Sequence, residues 1–215
     1  MSAKNAGEVV KRALDDDVEI IPLADGGEGT LEALSDGLKG TYYHVEVTSP
    51  NFKRVIARYM IADDLAMIEC AQACGLDLLE EEEKNALYTT SLGVGEMIVD
   101  AFHHGARRFM ITLGGSATND GGIGMLTALG ICFLDGHHQP VSPNAQGLGE
   151  IVSIDRSHYL FQNEDVSFIA ACDVENPLLG PHGATYVFGP QKGLQEERLE
   201  CVDQAMAHYA LLSEE

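Results

Sequence analysis

The chain has 215 residues, long enough for one good hydrophobic core or two small ones. Apolar residues make up 45% of it and glycines number 23, a globular rather than a disordered composition. The formal net charge of −21 argues against a nucleic-acid partner, because the basic clusters are single pairs: Lys11-Arg12, Lys53-Arg54 and Arg107-Arg108.

No apolar run approaches the ~20 residues needed to cross a bilayer. The opening Met1-Ser2-Ala3-Lys4-Asn5 does not have the character of a signal peptide. Five cysteines sit singly in apolar segments (Cys132, Cys172) or one helical turn apart (Cys70, Cys74), which suggests buried, reduced thiols. Paired Cys-x-x-Cys or histidine partners at zinc spacing are absent. The expected compartment is therefore reducing, the cytoplasm.

In chain order, Ser2 is placed to cap a helix to about Leu14, with Ala6, Val9, Val10 and Ala13 at helical spacing. A strand is expected over Val18 to Leu23, then a glycine turn, Ala24 to Gly29, and a helix from Thr30 to about Leu38. Tyr42 to Val47, Val55 to Ile61 and Leu65 to Cys70 have strand composition. Glu80 to Glu83 suit a solvated loop or a helix start. A helix follows from about Gly93 to His103, then a buried strand from Phe109 to Leu113. Met125 to Leu129 is expected to be helical, Gly136 to Gly149 a long loop, and Val166 to Cys172 a second buried strand. Strands alternating with helices point to an α/β sheet with parallel members.

Four segments carry chemistry. Gly114-Gly115-Ser116-Ala117-Thr118-Asn119-Asp120-Gly121-Gly122 leaves a strand and enters a helix. Glycines let successive N–H groups converge on one anion, and a helix N-terminus adds unsatisfied donors. Ser116, Thr118 and Asn119 add neutral donors, and Asp120 suits a metal or a proton. The spacing is neither a P-loop nor a dinucleotide fingerprint. Asp25-Gly26-Gly27-Glu28-Gly29-Thr30 has the same strand–turn–helix logic, with Asp25 suited to Mg²⁺ or a hydroxyl and Glu28 to the helix terminus. Asp173 again closes an apolar strand. In Phe188-Gly189-Pro190-Gln191-Lys192-Gly193, a rigid turn can aim the Lys192 ammonium at a phosphate oxygen. The pairs His103-His104 and His137-His138 diverge too far to share a metal. No Ser-His-Asp set or Gly-x-Ser-x-Gly elbow supports acyl transfer.

In order and spacing these segments, with Thr89-Thr90-Ser91, Gly93, Gly95-Glu96 and Asp173 to Leu178, resemble the bacterial glycerate kinase family, of the glycerate 2-kinase type. The resemblance implies an α/β fold of two domains: a discontinuous flavodoxin-like domain, here residues 1–45, and a second α/β domain, most of it residues 46–215. It implies an ATP- and Mg²⁺-dependent transfer of phosphate to D-glycerate, giving 2-phosphoglycerate. Asp25, Asp120 and Lys192 would be catalytic, with Asp25 and Asp120 holding Mg²⁺. Gly26, Gly27, Glu28, Gly114, Gly115, Ser116, Thr118, Asn119, Gly121 and Asp173 would bind substrate or phosphate. Family members start with a strand ending in Pro-Asp-Ser-x-Lys and run well past the position of Glu215. The chain is thus expected to be an incomplete fold and an incomplete catalyst. Leu92 and Val94 replace the usual Tyr and Thr, and Cys70 a Met. The rival expectations are a non-catalytic remnant and a Mg²⁺-dependent phosphatase using Asp25, the latter weakened by the missing Asp-x-Asp pair.

Overall fold

The computed structural model of the chain describes residues 3–14, 27, 29–35 and 38–214. Helix α1 (Ala3–Leu14) carries Val9, Val10 and Leu14 exposed. The expected strand at 18–23 lies outside the described residues, as do Ala24, Asp25, Gly26 and Glu28. Helix α2 (Thr30–Ser35) starts where the Thr30 hydroxyl donates back to the Gly27 carbonyl at 2.7 Å.

β-Branched and aromatic residues then alternate through β1 (Thr41–Thr48) and β2 (Arg54–Ala62), which pair antiparallel from Thr41↔Ile61 to Thr48↔Arg54. The expected domain boundary at 45/46 falls inside β1. Strand β3 (Leu65–Glu69) returns antiparallel to β2 and leads into the single turn α3 (Ala71–Cys74). The acidic run lies largely on the surface, Glu81–Glu83 forming a 3₁₀ turn. Helix α4 (Leu92–His103) precedes β4 (Arg108–Thr112), which lies parallel to β3. After α5 (Ile123–Ala128), a small ribbon joins β5 (Cys132–Leu134) to β6 (Ser153–Asp155), with α6 (Ala145–Leu148) between them. Strand β7 (Ser167–Ala171) pairs parallel with β4, and α7 (Ala184–Phe188) and α8 (Glu196–Ser213) follow. The main sheet runs β1-β2-β3-β4-β7, a mixed α/β architecture with the expected parallel members.

Three apolar layers result. Under α4 lie Tyr59, Ile68, Met97, Ile98 and Phe109; against the opposite sheet face Leu31 covers Met60 and Met67. A separate cluster under α8 unites Ile123, Phe133, Leu148, Ile151 and Met206. Within the first, the buried Tyr59 hydroxyl donates to Asp100 at 2.5 Å, and burial holds that hydroxyl above its ordinary pKa. His104, one of the paired histidines, stands 3.2 Å from the same hydroxyl and so serves the core.

Strand β7 corrects the expectation of burial. Phe168 is 43% and Ile169 48% exposed, because α4 packs over β1 to β3 and α2 against β3, leaving β7 at the sheet edge beyond both. Cys172 and Cys201 are exposed as well, whereas Cys70 and Cys74 are buried as expected.

Helices α4 and α5 meet through glycine. A Cβ on Gly95 would stand 2.2 Å from the Met125 carbonyl oxygen, and one on Gly124 2.7 Å from the Leu92 nitrogen. Helix propensity alone predicts that Gly95→Ala stabilises by about 1 kcal/mol. Overpacking predicts the opposite, a loss of roughly 1–3 kcal/mol. We expect a lower Tm in a thermal melt, by about 2–4 °C per kcal/mol; a raised Tm would refute the tight helix contact.

Candidate functional site

The three parallel strands end at one edge of the sheet, and the loops leaving them converge there, where open α/β sheets bind ligands. A cavity of about 410 Å³ is lined there by Gly27, Gly114, Gly115, Ser116, Asp173 and Lys192. All four sequence segments thus contribute to its lining, the segment Phe188 to Gly193 through Phe188, Gln191 and Lys192.

The glycine loop has two halves with different duties. In the first, Gly114 and Ser116 are half-buried and Gly115 exposed, with Gly115 in the left-handed region at φ 75°. The backbone N–H groups of Gly114, Gly115 and Ser116 donate to no acceptor among the described residues, while Leu113 and Ala117 on either side donate to Ala171 and Cys74 carbonyls. Consecutive N–H groups without an acceptor among the described residues, beside a cavity, have the form of an anion-binding concavity.

In the second half Ala117 to Asp120 are buried and the Asp120 side chain is well bonded, although the N–H groups of Thr118 to Gly121, like those of the first half, donate to no acceptor among the described residues. The Asp120 carboxylate accepts from Ser91 N (2.9 Å), Ser91 Oγ (2.7 Å), Gly122 N (3.1 Å) and Gly124 N (3.3 Å). Ile123 N donates to the Asp120 carbonyl, and Met125 N to Ser91 Oγ. Every N–H at the start of α5 therefore has an internal partner. Asp120 caps the α5 terminus, its Oδ2 accepting three donors and its Oδ1 one. Burial raises its pKa above the ordinary aspartate value, opposed by those donors. Asn119 likewise donates inward, to Thr185 Oγ1 at 3.0 Å. Gly121, at φ 59°, lies where a Cβ would meet Met206 Sδ at 2.9 Å and so serves packing against α8.

Lys192 bridges the halves. Its 3₁₀ turn Pro190–Lys192 closes at Gly193, and the ammonium donates to Ser116 Oγ (2.9 Å) and the Thr118 carbonyl (2.7 Å). Burial lowers its pKa from the usual 10.5. The Thr118 carbonyl is thereby one of the two acceptors of the ammonium. Asp173 is exposed and lines the same cavity.

Glu69 was missed, although the signal that singled out Asp173, an acid closing an apolar strand, applies to it equally. It is 1% exposed and accepts from the Leu31 N–H at 2.7 Å, fastening the start of α2, and with it the Gly27 turn, to the end of β3. Gln72 donates to its other oxygen at 3.1 Å. Ser91 is the other structural partner of the site. Among the described residues no three His, Cys, Asp or Glu side chains gather into a metal cage.

The whole chain, residues 1–215, matches the family model described as the glycerate kinase family. The chain belongs to the glycerate kinase family. It is 42% identical to a glycerate kinase of Bacillus subtilis, over all of this chain and 58% of that protein. It is also 42% identical to a glycerate 2-kinase of Escherichia coli, over 88% of this chain and 50% of that protein. The crystal structure of a candidate glycerate kinase 2 from Salmonella typhimurium LT2 superposes with a TM-score of 0.86 at 42% identity. It covers 98% of this chain and 57% of that one. The chain spans about half the length of the curated relatives it matches. Among the described residues no helix is long and apolar enough to cross a membrane.

Asp120→Asn keeps the shape of this family member's loop but sets an NH₂ group against N–H donors. The unmade buried bonds are expected to cost about 1–3 kcal/mol. Urea unfolding checks this, and an unchanged midpoint would show that the carboxylate is not needed to hold the loop.

Proposed function

We propose that the chain carries the phosphate-handling part of an ATP-dependent glycerate kinase, which moves the γ-phosphoryl group of ATP to the carbon-2 hydroxyl of D-glycerate. The observation that supports it most is that the N–H groups of Gly114, Gly115 and Ser116 on the cavity wall have no acceptor among the described residues, with the Lys192 ammonium bonded to Ser116. Phosphoryl transfer asks a protein chiefly for positioning and charge stabilisation, which this arrangement suits.

In this proposal the N–H groups and Ser116 hold phosphoryl oxygens, and Lys192 stabilises negative charge on the phosphoryl group or the glycerate carboxylate. Thr118, Asn119, Asp120 and Gly121 act by fixing the loop. Asp173, which lines the cavity, would orient the glycerate hydroxyl. Asp25, with Gly26 and Glu28 beside it, is assigned to hydroxyl activation or Mg²⁺ from the sequence. Mg²⁺ on nucleotide phosphates takes one or two carboxylates and keeps several waters, so Asp25 and Asp173 suffice without a protein cage; when bound, it neutralises phosphate charge. The partners are small molecules in the cytoplasm, and a net charge of −21 speaks against nucleic acid.

An ADP-release assay with D-glycerate, ATP and Mg²⁺ tests this on the chain and on a version extended at both ends to its relatives' length. We expect turnover in the extended protein, reduced on the order of 10²–10³-fold by Lys192→Ala. No ADP from either protein would favour a non-catalytic remnant; phosphate release from sugar phosphates without ATP would favour the hydrolase.

The lowered pKa of Lys192 gives a pH signature. The ammonium holds an anion below its pKa and releases it above. Pyrophosphate affinity is therefore expected to fall in the alkaline range before the ordinary lysine value of 10.5 is reached. Calorimetric titration across pH checks this. Lys192→Arg, which stays charged, should flatten the fall. An equal fall in both proteins would remove Lys192 from the anion site.

A further inference from the structure

The glycine loop and the Pro190–Lys192 turn bring a serine and a lysine into contact on the cavity wall. The Lys192 nitrogen stands 2.9 Å from Ser116 Oγ, within the range of about 2.6–3.2 Å over which a base takes a hydroxyl proton. Among the described residues the Ser116 hydroxyl has no other side-chain partner. Both residues are fixed at their main chains. Leu76 N–H donates to the Gly115 carbonyl at 2.9 Å, and Ala117 N–H to the Cys74 carbonyl at 2.7 Å, one on each side of Ser116. Ala86 N–H donates to the Lys192 carbonyl at 3.0 Å.

The second bond of Lys192 decides which way a proton can run. The Thr118 carbonyl, 2.7 Å from the nitrogen, only accepts, so it takes an N–H in either charge state of the lysine. In the neutral amine the lone pair is then free to face Ser116 Oγ. Burial favours that neutral form, opposed by Cys74 and Cys70 on α3 and by the Asp120 carboxylate of the loop. The end of β7 adds the Asp173 carboxylate to the same cavity wall.

An attacking serine also needs donors for the charge that develops on its target. The N–H groups of Gly114 and Ser116 have no acceptor among the described residues. They belong to the serine itself and to the glycine two positions before it, the spacing at which serine hydrolases place their oxyanion donors.

We propose that Ser116 is a nucleophile with Lys192 as its base, and that it takes a phosphoryl group from a phosphoanhydride or an acyl phosphate when no alcohol substrate is bound. The Ser116 hydroxyl gives its proton to the Lys192 amine as Oγ attacks phosphorus. The bond from phosphorus to the bridging oxygen breaks, and ADP or acetate leaves. The products are a phosphoserine, the leaving group and a lysine ammonium. That ammonium and the loop N–H groups then hold the new phosphate, so the modified chain fills its own anion site. The inference rests on the reading of the cavity as a phosphate site and adds a covalent acceptor to it.

Acetyl phosphate is the probe for the chain as it stands, because it needs no nucleotide pocket. We expect one phosphoryl group per chain, mapped by mass spectrometry to Ser116, absent from Ser116→Ala and suppressed by pyrophosphate. The exposed Ser157 should stay unmodified. The rate should rise through the alkaline range as Lys192 loses its proton, opposite in sign to the affinity for pyrophosphate. Lys192→Arg, which keeps its proton, should be labelled on the order of 10²–10⁴-fold more slowly. Labelling of Lys192→Arg at the rate of the unmodified chain would overturn Lys192 as the base. Phosphate on Ser157 alone, or none at all while calorimetry shows pyrophosphate bound, would overturn the nucleophile and leave the phosphate site standing. Absence of both labelling and pyrophosphate binding would remove the two together. If Lys192→Arg fails to fold, the pH profile of the unmodified chain decides, and a rate that stays flat overturns the proton transfer.

Discussion

The Asp120 carboxylate joins the start of α4, through both donors of Ser91, to the start of α5, through the N–H groups of Gly122 and Gly124. A buried carboxylate without such donors would carry a large desolvation penalty, and helix starts without an acceptor would leave orphan N–H groups. Each need answers the other. The glycine contacts between α4 and α5 then let the two helices approach closely enough for one carboxylate to reach both. With Asp120 fixed in this way, the loop can leave the N–H groups of Gly114 to Ser116 without an acceptor among the described residues and still keep its place.

The local field around the cavity runs against that of the whole molecule. A chain with a formal net charge of −21 repels phosphate at a distance, and a phosphate that enters must be met by donors close at hand. In the proposed site the N–H dipoles and the ammonium act from a wall that is partly dry around Lys192, where short-range interactions are screened less. The dryness that strengthens the contact also lowers the lysine's proton affinity, so its strength and its pH range have one origin.

Much of this could be read from the sequence. The strands β1 to β4 followed from β-branched runs, and the four chemical segments followed from glycine and acid at strand ends. What could not be read was orientation. Asp120 and Asn119 sit in the same nine-residue run as Ser116, yet their side chains turn inward, and no local pattern distinguishes the halves. Strand β7 has core composition at Phe168 and Ile169 but occupies a sheet edge, which is decided by neighbours remote in the chain. Glu69 escaped notice although it obeys the rule that found Asp173. Its partner, the Leu31 N–H, lies in a distant helix, so its role is legible only once α2 is in place.

The order of strands has a temporal side. Strands β1, β2 and β3 pair through short antiparallel turns and can form as soon as they meet. Strand β4 finds β7, Arg108 opposite Ser167, only after the whole of α5, the β5–β6 ribbon and α6 has been threaded between them. Closing so long a loop is costly before its contacts reward it, and parallel pairings of this range form slowly. The strand whose end carries Asp173 is therefore among the last to join, and until it does, the β4 edge stands open as a template for another chain.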